Sequence, residues 1–269
     1  MQFNSPADIN TLIAQGFDLV EHEAAPVVAL AREYPGGLLI PPHRHSRTQF
    51  LYARSGVALV VTERGRWMIP PDHALLIPCG IQHRVEMFSG VEMQSVYMRD
   101  YDHGDYPCVL SVNELTRSLL GEVVKLQKPV ENDERSRLLF DLLMHEIRRL
   151  PVRELGLPFP EKPVLAALCK EFLKAPDPAA SIDSWAEKAG MSRRSFTRLF
   201  RVQTGVSFVT WRQQACIFAS LPKLASGETI TSVAFDTGYE SAAAFTTMFK
   251  RMLGSSPRDY MRQQAAHAE

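Results

Sequence analysis

The sequence predicts a multidomain α+β protein, with an antiparallel β-barrel followed by helices and then an all-α C-terminal domain. Three observations support this prediction. Short apolar runs alternate with turn residues over 26–99, helical periodicity begins after Pro107, and residues 161–262 contain an internal repeat. The length of 269 residues exceeds the roughly 100–200 residues of a common single domain, which agrees with more than one domain.

The predicted barrel occupies residues 1–108. Apolar runs such as VALVV and ALLI are separated by breaks such as Arg64-Gly65 and Pro78-Cys79-Gly80. Many short strands at this spacing are typical of an antiparallel β-sandwich or barrel.

The segment 109–150 predicts two amphipathic helices, over 109–127 and 132–150, from apolar residues at helical spacing. Their apolar stripes can pack on the barrel or on a second chain. We favour the second, which makes this a dimerisation segment and the protein a homodimer. Residues 151–160 lie in a stretch with prolines at 151, 158, 160 and 163, a composition that favours a semi-rigid extended linker.

The repeat lies in the C-terminal domain, assigned to residues 161–263. Both copies have an alanine, a glycine, a serine, two phenylalanines, a basic residue, a glycine and a serine, in that order. The first copy is Ala186, Gly190, Ser192, Phe196, Phe200, Arg201, Gly205, Ser207, and the second is Ala234, Gly238, Ser241, Phe245, Phe249, Lys250, Gly254, Ser256. Alanine permits close helix packing, glycine turns the chain, serine caps the next helix and the second glycine ends it. Each copy therefore predicts a helix-turn-helix unit.

The faces opposite the phenylalanines are the candidate DNA-binding surfaces. The predicted contacts are Arg193, Arg194, Thr197, Arg198, Arg201 in the first unit and Ser241, Ala242, Thr246, Lys250, Arg251 in the second. Arginines can bond to phosphates and to guanine edges, which predicts double-stranded DNA as the partner. The second face carries less charge, so we expect the first unit to dominate specificity. A plain helical bundle without DNA binding is the alternative.

A long helix over 207–225 is predicted to join the two units. Pro222 lies inside it. Because proline removes a backbone donor and clashes one turn back, we expect a kink or an early end there.

Three histidines and a glutamine form a candidate metal or effector site in the barrel. His43 and His45 are two apart, so in a strand they point to one face, and Gln49 shares their parity if the strand is regular. His83 from another strand could complete a three-imidazole site for zinc, nickel, iron or manganese. Alternatively, these side chains line a polar effector pocket or a solvated edge.

Other features of the sequence exclude several classes of protein. Cys79, Cys108, Cys169 and Cys216 form no C-x-x-C pair, so free thiols are expected. We see no signal peptide and no apolar run near the ~18 residues of a membrane span. We therefore expect a cytoplasmic protein without a membrane partner. The formal net charge is zero, so charge alone does not indicate nucleic-acid binding.

Two resemblances to known families follow from these motifs. The segments AEKAGMSRRSFTRLFRVQTGVSF and ITSVAFDTGYESAAAFTTMFKRMLGSSPRDYMR resemble the AraC/XylS family of bacterial transcription regulators over 161–262. The resemblance implies recognition helices at 192–203 and 241–252. The linker helix departs from the family pattern, because Cys216 stands where arginine is usual and Pro222 interrupts it.

The histidine motifs resemble the cupin-type sensor domains of the same family. They are Gly37-x5-His43-x-His45-x3-Gln49-x6-Gly56 and Pro78-x-Gly80-x2-His83, with Gln49 in place of the metal-binding glutamate. The resemblance implies a sequence-specific regulator, not an enzyme, that answers to a small-molecule effector, a metal or both. A metal-dependent cupin enzyme with an accessory DNA-binding domain is the alternative from another class. A DNA-binding architectural protein that senses nothing is a third.

Overall fold

The computed structural model describes residues 6–88, 90–101, 104–130, 133–153, 155–253 and 255–266. An N-terminal helix, α1 (Pro6–His22), precedes the strands. The strands of the first domain are β1 (Val27–Tyr34), β2 (Leu39–His43), β3 (Thr48–Ser55), β4 (Ala58–Thr62), β5 (Gly65–Ile69), β6 (His73–Ile77), β7 (His83–Met87), β8 (Val91–Met98) and β9 (Cys108–Ser111).

Two short strands, β10 (Val152–Arg153) and β11 (Gly156–Pro158), complete a pair of antiparallel sheets. The strand orders are β1-β8-β3-β6-β9-β10 and β11-β5-β4-β7-β2. Successive residues of β3 enter different cores, as the two-residue period of a strand requires. Leu51 belongs to the core that includes Val60 and Val85 of the five-stranded sheet, whereas Phe50 and Tyr52 belong to a second core. The predicted antiparallel β domain is confirmed.

That second core lies beneath α2 (Glu114–Leu126) and α3 (Glu134–Ile147). The helix predicted from residue 109 starts later, because Val109 and Leu110 still pair with β6. The side chain of Asn113 accepts a hydrogen bond from the Thr116 amide and so caps the first turn of α2.

The assignment of these helices' apolar stripes to a partner chain is wrong for most of their residues. Leu119, Leu120, Val123, Phe140 and Leu143 are buried against the six-stranded sheet of the same chain. Burying both stripes on the sheet removes the apolar surface of both elements from water. Only Leu115, Leu138 and Leu142 on these two helices remain as exposed large hydrophobic side chains in the described part of the chain.

The predicted linker 151–160 is not a free connection. Its residues form β10, which pairs with β9, and β11, which pairs with β5. Gly156 permits this close pairing, because a Cβ atom there would lie 2.8 Å from the Trp67 ring. The prolines stand at the margins of these strands, where a missing amide costs least.

The C-terminal domain is helical, as predicted. Its helices are α4 (Pro163–Phe172), α5 (Ile182–Lys188), α6 (Arg193–Thr204), α7 (Phe208–Ala225), α8 (Ile230–Asp236), α9 (Ala242–Leu253) and α10 (Pro257–Ala266). Helix α7 does not end early at Pro222 but continues to Ala225. Leu221 and Leu224 on both sides of the proline are buried and hold this last turn in the core. No helix in the described residues is long and apolar enough to cross a membrane.

Candidate functional site

The two predicted turns have the backbone geometry that their glycines imply. Gly190, between α5 and α6, has φ 64°, and the Met191 amide donates to the Ala186 carbonyl. Gly238, between α8 and α9, has φ 78°, and the Tyr239 amide donates to the Ala234 carbonyl. These left-handed glycines end the first helix of each unit and redirect the chain. The structure thus contains both helix-turn-helix units.

Serine caps begin the second helix of each unit. Ser192 Oγ accepts from the Ser195 amide at 3.2 Å, and Ser241 Oγ accepts from the Ala244 amide at 3.1 Å. Gly205 ends α6 with φ 77°. The corresponding stop at Gly254 lies outside the described residues. Helices α6 and α9 therefore occupy the predicted recognition positions, with starts within a residue of those expected.

The inner face of α6 anchors it in an aromatic core. Phe196 and Phe200 are fully buried and contact Trp185, Phe208 and Trp211 through tilted and edge-on ring pairs. Such contacts fix the rotation of the helix about its axis. The opposite face is therefore presented to solvent in one orientation.

The outer face of α6 carries the five predicted residues, all of them exposed. The Arg193 guanidinium pairs with the Asp183 carboxylate of α5 at 2.9 Å. Thr197 Oγ1 donates to the Arg193 carbonyl at 2.9 Å. Among the described residues, the guanidinium groups of Arg194, Arg198 and Arg201 have no ion-pair partner. These three cations are available to an external anion.

The outer face of α9 is less charged. Ser241, Lys250 and Arg251 are exposed, whereas Ala242 and Thr246 are half-buried. The Arg251 guanidinium donates to Gln213 Oε1 of α7 at 3.0 Å, which links the second recognition helix to the connecting helix. The second unit thus presents fewer uncommitted cations than the first.

The three predicted histidines meet in the first domain. Their candidate ligand atoms, from His43, His45 and His83, all lie within 4.8 Å of one another. His43 ends β2 and pairs across the sheet with His83 of β7. His45 lies beyond the end of the strand, so the assumption of one regular strand from His43 to Gln49 is wrong.

Hydrogen bonds orient two of the rings. His43 Nδ1 lies 2.8 Å from the Pro41 carbonyl, and His83 Nδ1 lies 2.9 Å from the Ile81 carbonyl. Because a carbonyl only accepts, both Nδ1 atoms carry the proton and both Nε2 atoms keep a lone pair. The His83 Nε2 atom is buried without a hydrogen-bond partner among the described residues.

Helix α1 covers the cluster. The Phe17 ring stacks on His43 at 4.5 Å between centroids. A Glu21 carboxylate oxygen lies 3.4 Å from His45 Nδ1 and also accepts from the Ser46 amide at 3.2 Å. Sequence reasoning missed α1, although Ile13, Phe17 and Val20 have the helical spacing that could have revealed it.

The electrostatics of the cluster favour neutral rings. Burial, together with a smaller contribution from the charge of His43, lowers the pKa of His45 to about 4 and that of His83 to about 3. Burial also lowers the pKa of His43. Neutral imidazole is the form that binds metal ions.

Gln49 joins the cluster through a tyrosine. Its Nε2 donates to Tyr97 Oη at 3.1 Å, and the Tyr97 ring packs edge-on against His45 at 4.9 Å. Gln49 Oε1 is buried and has no partner among the described residues. The site therefore combines three imidazoles with a polar wall.

Comparison with known proteins agrees with both halves of this description. Residues 185–263 match the family model of a helix-turn-helix domain, and residues 25–147 match that of an AraC-like ligand binding domain. The HTH-type transcriptional regulator NimR of Escherichia coli (strain K12) is 29% identical over 255 residues, covering 94% of this chain and 93% of NimR.

Two further similarities involve a curated regulator and a solved structure. The regulatory protein SoxS of Escherichia coli (strain K12) is 31% identical over 85 residues, which are 31% of this chain and 79% of SoxS. The crystal structure of ToxT from Vibrio cholerae O395 matches 89% of this chain and 98% of its own, with 13% identity and a TM-score of 0.39.

A ligand-binding domain followed by two helix-turn-helix units defines a sequence-specific DNA-binding transcription regulator. This chain belongs to the AraC/XylS family of such regulators.

Proposed function

We propose that this regulator binds its operator mainly through α6, and that occupation of the histidine cluster changes its affinity for DNA. It acts in the cytoplasm as a homodimer and is not an enzyme. The observation that carries the regulatory part is the convergence of His43, His45 and His83 beneath α1.

The donor atoms fit a divalent transition metal. Two rings present a lone pair at Nε2 because their Nδ1 atoms are bonded to backbone carbonyls, the arrangement that commonly fixes histidine ligands. The Glu21 carboxylate beside His45 supplies a negative charge outside the three imidazoles. Zinc, nickel, iron and manganese all accept imidazole ligands. When bound, the metal supplies a positive charge that can hold an anionic or polar effector.

The polar wall suits a small-molecule effector at the same place. Gln49 and Tyr97 offer hydrogen-bonding groups beside the cluster, and the Gln49 oxygen is unsatisfied. A buried unsatisfied acceptor costs roughly 1–3 kcal/mol. A ligand that donates to it recovers that energy, so the wall selects for a hydrogen-bond donor.

The DNA contacts follow from the charges on the recognition helices. Arg194, Arg198 and Arg201 are exposed and uncommitted, and we assign them to phosphates and guanine edges. Arg193 contacts DNA once its ion pair with the Asp183 carboxylate is broken. Thr197, whose hydroxyl donates to the Arg193 carbonyl, lies on the same exposed face and is assigned to the DNA contact as well. The second unit recognises mainly the shape of the DNA and the methyl groups of thymine. The residues assigned to this contact are Ser241, Ala242, Thr246, Lys250 and Arg251.

The dimer is assigned to the outer surface of α2 and α3. Leu115, Leu138 and Leu142 remain exposed there. Leu138 and Leu142 are four apart and share a helical face. A second copy of the chain would cover these side chains, as an isologous interface does in a twofold dimer.

NimR is a transcriptional regulator and SoxS a regulatory protein, which supports a regulator rather than a cupin enzyme. An enzyme would leave the arginine face of α6 without a role.

Elemental analysis tests the metal site. Full-length protein without an affinity tag, incubated with each of the four metals and then dialysed, should retain about one equivalent of at least one metal, as expected for three converging histidines. His83→Ala should lose it, and His145→Ala, which changes a histidine of α3 away from the cluster, should retain it. Less than a tenth of an equivalent in the wild type contradicts the site.

A further inference from the structure

A cavity of about 590 Å³ lies between the two domains. Trp67, Tyr106 and Val152 line it from the ligand-binding domain, and Leu199, Val202 and Val206 line it from the end of α6 and the turn before α7. Its volume falls in the roughly 300–1,000 Å³ range of small-molecule sites. None of its lining residues belongs to the histidine cluster.

Two strongly exposed apolar side chains line this cavity. Val202 is 76% exposed and Val152 is 63% exposed, the two highest values among the large hydrophobic side chains of the described residues. The two valines come from different domains and line the same space. Clustered exposed apolar side chains mark binding surfaces more often than scattered ones do.

The two charged side chains that line the cavity have opposite signs. Arg153 and Glu161 are the charged side chains of its lining. Glu161 accepts a hydrogen bond from Tyr106 Oη at 3.0 Å, which keeps its carboxylate at the wall. A carboxylate ligand attracted by Arg153 would be repelled by Glu161, and a cationic ligand would meet the reverse. The electrostatics therefore favour a neutral occupant.

We infer that this interdomain cavity binds an uncharged, largely apolar and partly aromatic small molecule, at a site separate from the histidine cluster. The phenol ring of Tyr106 is 46% exposed and has Arg64 4.7 Å from its centroid, so an aromatic group can pack against the part of this ring that Arg64 leaves open. A molecule that also covers Val202 contacts both domains at once. It thereby joins the end of the first recognition helix to the ligand-binding domain.

Fluorescence titration with N-phenyl-1-naphthylamine, an uncharged apolar dye, tests the site in the full-length protein. The wild type should bind about one equivalent saturably. Val202→Asp and Val152→Asp each place a charge in the apolar wall and should weaken binding by about tenfold or more. Val209→Asp changes an exposed valine of α7 that is outside the lining, and it should bind the dye as the wild type does.

Val202→Thr keeps the side-chain shape, so a few-fold loss in this variant supports a contact at Val202 even where the aspartate variant folds poorly. The inference is overturned if the wild type does not bind the dye, or if both aspartate variants bind it unchanged. It is also overturned if the anionic dye 8-anilinonaphthalene-1-sulfonate binds as tightly and shows the same sensitivity to these variants.

Discussion

Trp211 in α7 donates its indole N–H to the carbonyl of Pro158 in β11, at 3.0 Å. Trp211 is fully buried, and α7 is the helix that joins the two DNA-binding units. β11 is paired with β5 of the ligand-binding domain. One hydrogen bond therefore connects the linker helix to a strand of the domain that holds the histidine cluster.

Trp211→Phe removes this donor and leaves the Pro158 carbonyl without its partner. We expect the free energy of unfolding to fall by about 1–3 kcal/mol from this cause, in addition to the loss of packing. Trp185→Phe is the matched control, because Trp185 is buried in the same aromatic core but makes no such bond between the domains within the described part of the chain. Urea denaturation measures both, and equal losses would show that the bond contributes nothing.

Arg194→Ala and Arg198→Ala should each weaken operator binding by about 1–3 kcal/mol if the arginine reads a guanine. Both guanidinium groups are uncommitted in the free protein. Fluorescence anisotropy with a labelled operator at fixed salt measures the change. Arg54→Ala, which removes an exposed arginine of β3 that pairs with Glu92 and lies outside the recognition helices and the α2–α3 surface, is the control. Unchanged affinity in both test variants removes α6 from the recognition role.

Gly238→Ala should destabilise the protein more than Gly190→Ala does. Both glycines have positive φ, so an alanine costs about 1–2 kcal/mol at either position. At Gly190 the new Cβ meets open space, whereas at Gly238 it would lie 2.5 Å from Pro178 Cδ. The clash adds about 1–3 kcal/mol.

Replacing Pro178 with alanine in the Gly238→Ala background should recover most of this added loss. Thermal or urea unfolding of the wild type, Gly238→Ala, Pro178→Ala and the double variant measures the coupling between positions 178 and 238. A Gly238→Ala loss no larger than that of Gly190→Ala speaks against the contact.

Leu138→Lys combined with Leu142→Lys should convert the proposed dimer into a monomer while the fold is retained. The two side chains are exposed, so lysine there costs little in the monomer but would bury charge in a dimer. Light scattering after size-exclusion chromatography gives the mass. Leu39→Lys, at an exposed leucine of β2, should leave the mass unchanged. A double variant that remains dimeric rules out this surface.

The C-terminal domain was the most predictable part of the sequence because its determinants are local. Gly190 forms the turn, Ser192 caps the next helix and Gly205 ends it, and each effect depends only on residues nearby in sequence. The same pattern occurs again in the second unit, which strengthens the prediction. The side-chain ion pair of Arg193 with Asp183 was not predictable, since it depends on how α5 crosses α6.

The N-terminal domain was less predictable where long-range packing decides. The apolar stripes of α2 and α3 have the same periodicity whether they cover a sheet or a second chain. They cover the sheet because its outer face presents apolar side chains such as Phe50 and Leu76. Residues 151–160 read as a linker because proline suppresses strand patterns, yet their partners are strands far away in sequence. The histidine spacing predicted the cluster, but the covering helix and Glu21 come from outside the motif.

Control of DNA binding by the histidine cluster is tested by the operator affinity of metal-free and metal-loaded protein, measured with an operator selected from genomic fragments. With at least one of zinc, nickel, iron or manganese, the wild-type dissociation constant should change by about fivefold or more, the lower end of typical allosteric coupling. His83→Ala should show no such change while keeping the metal-free affinity. An affinity that no metal changes, or that changes equally in His83→Ala, would contradict control of DNA binding by the histidine cluster.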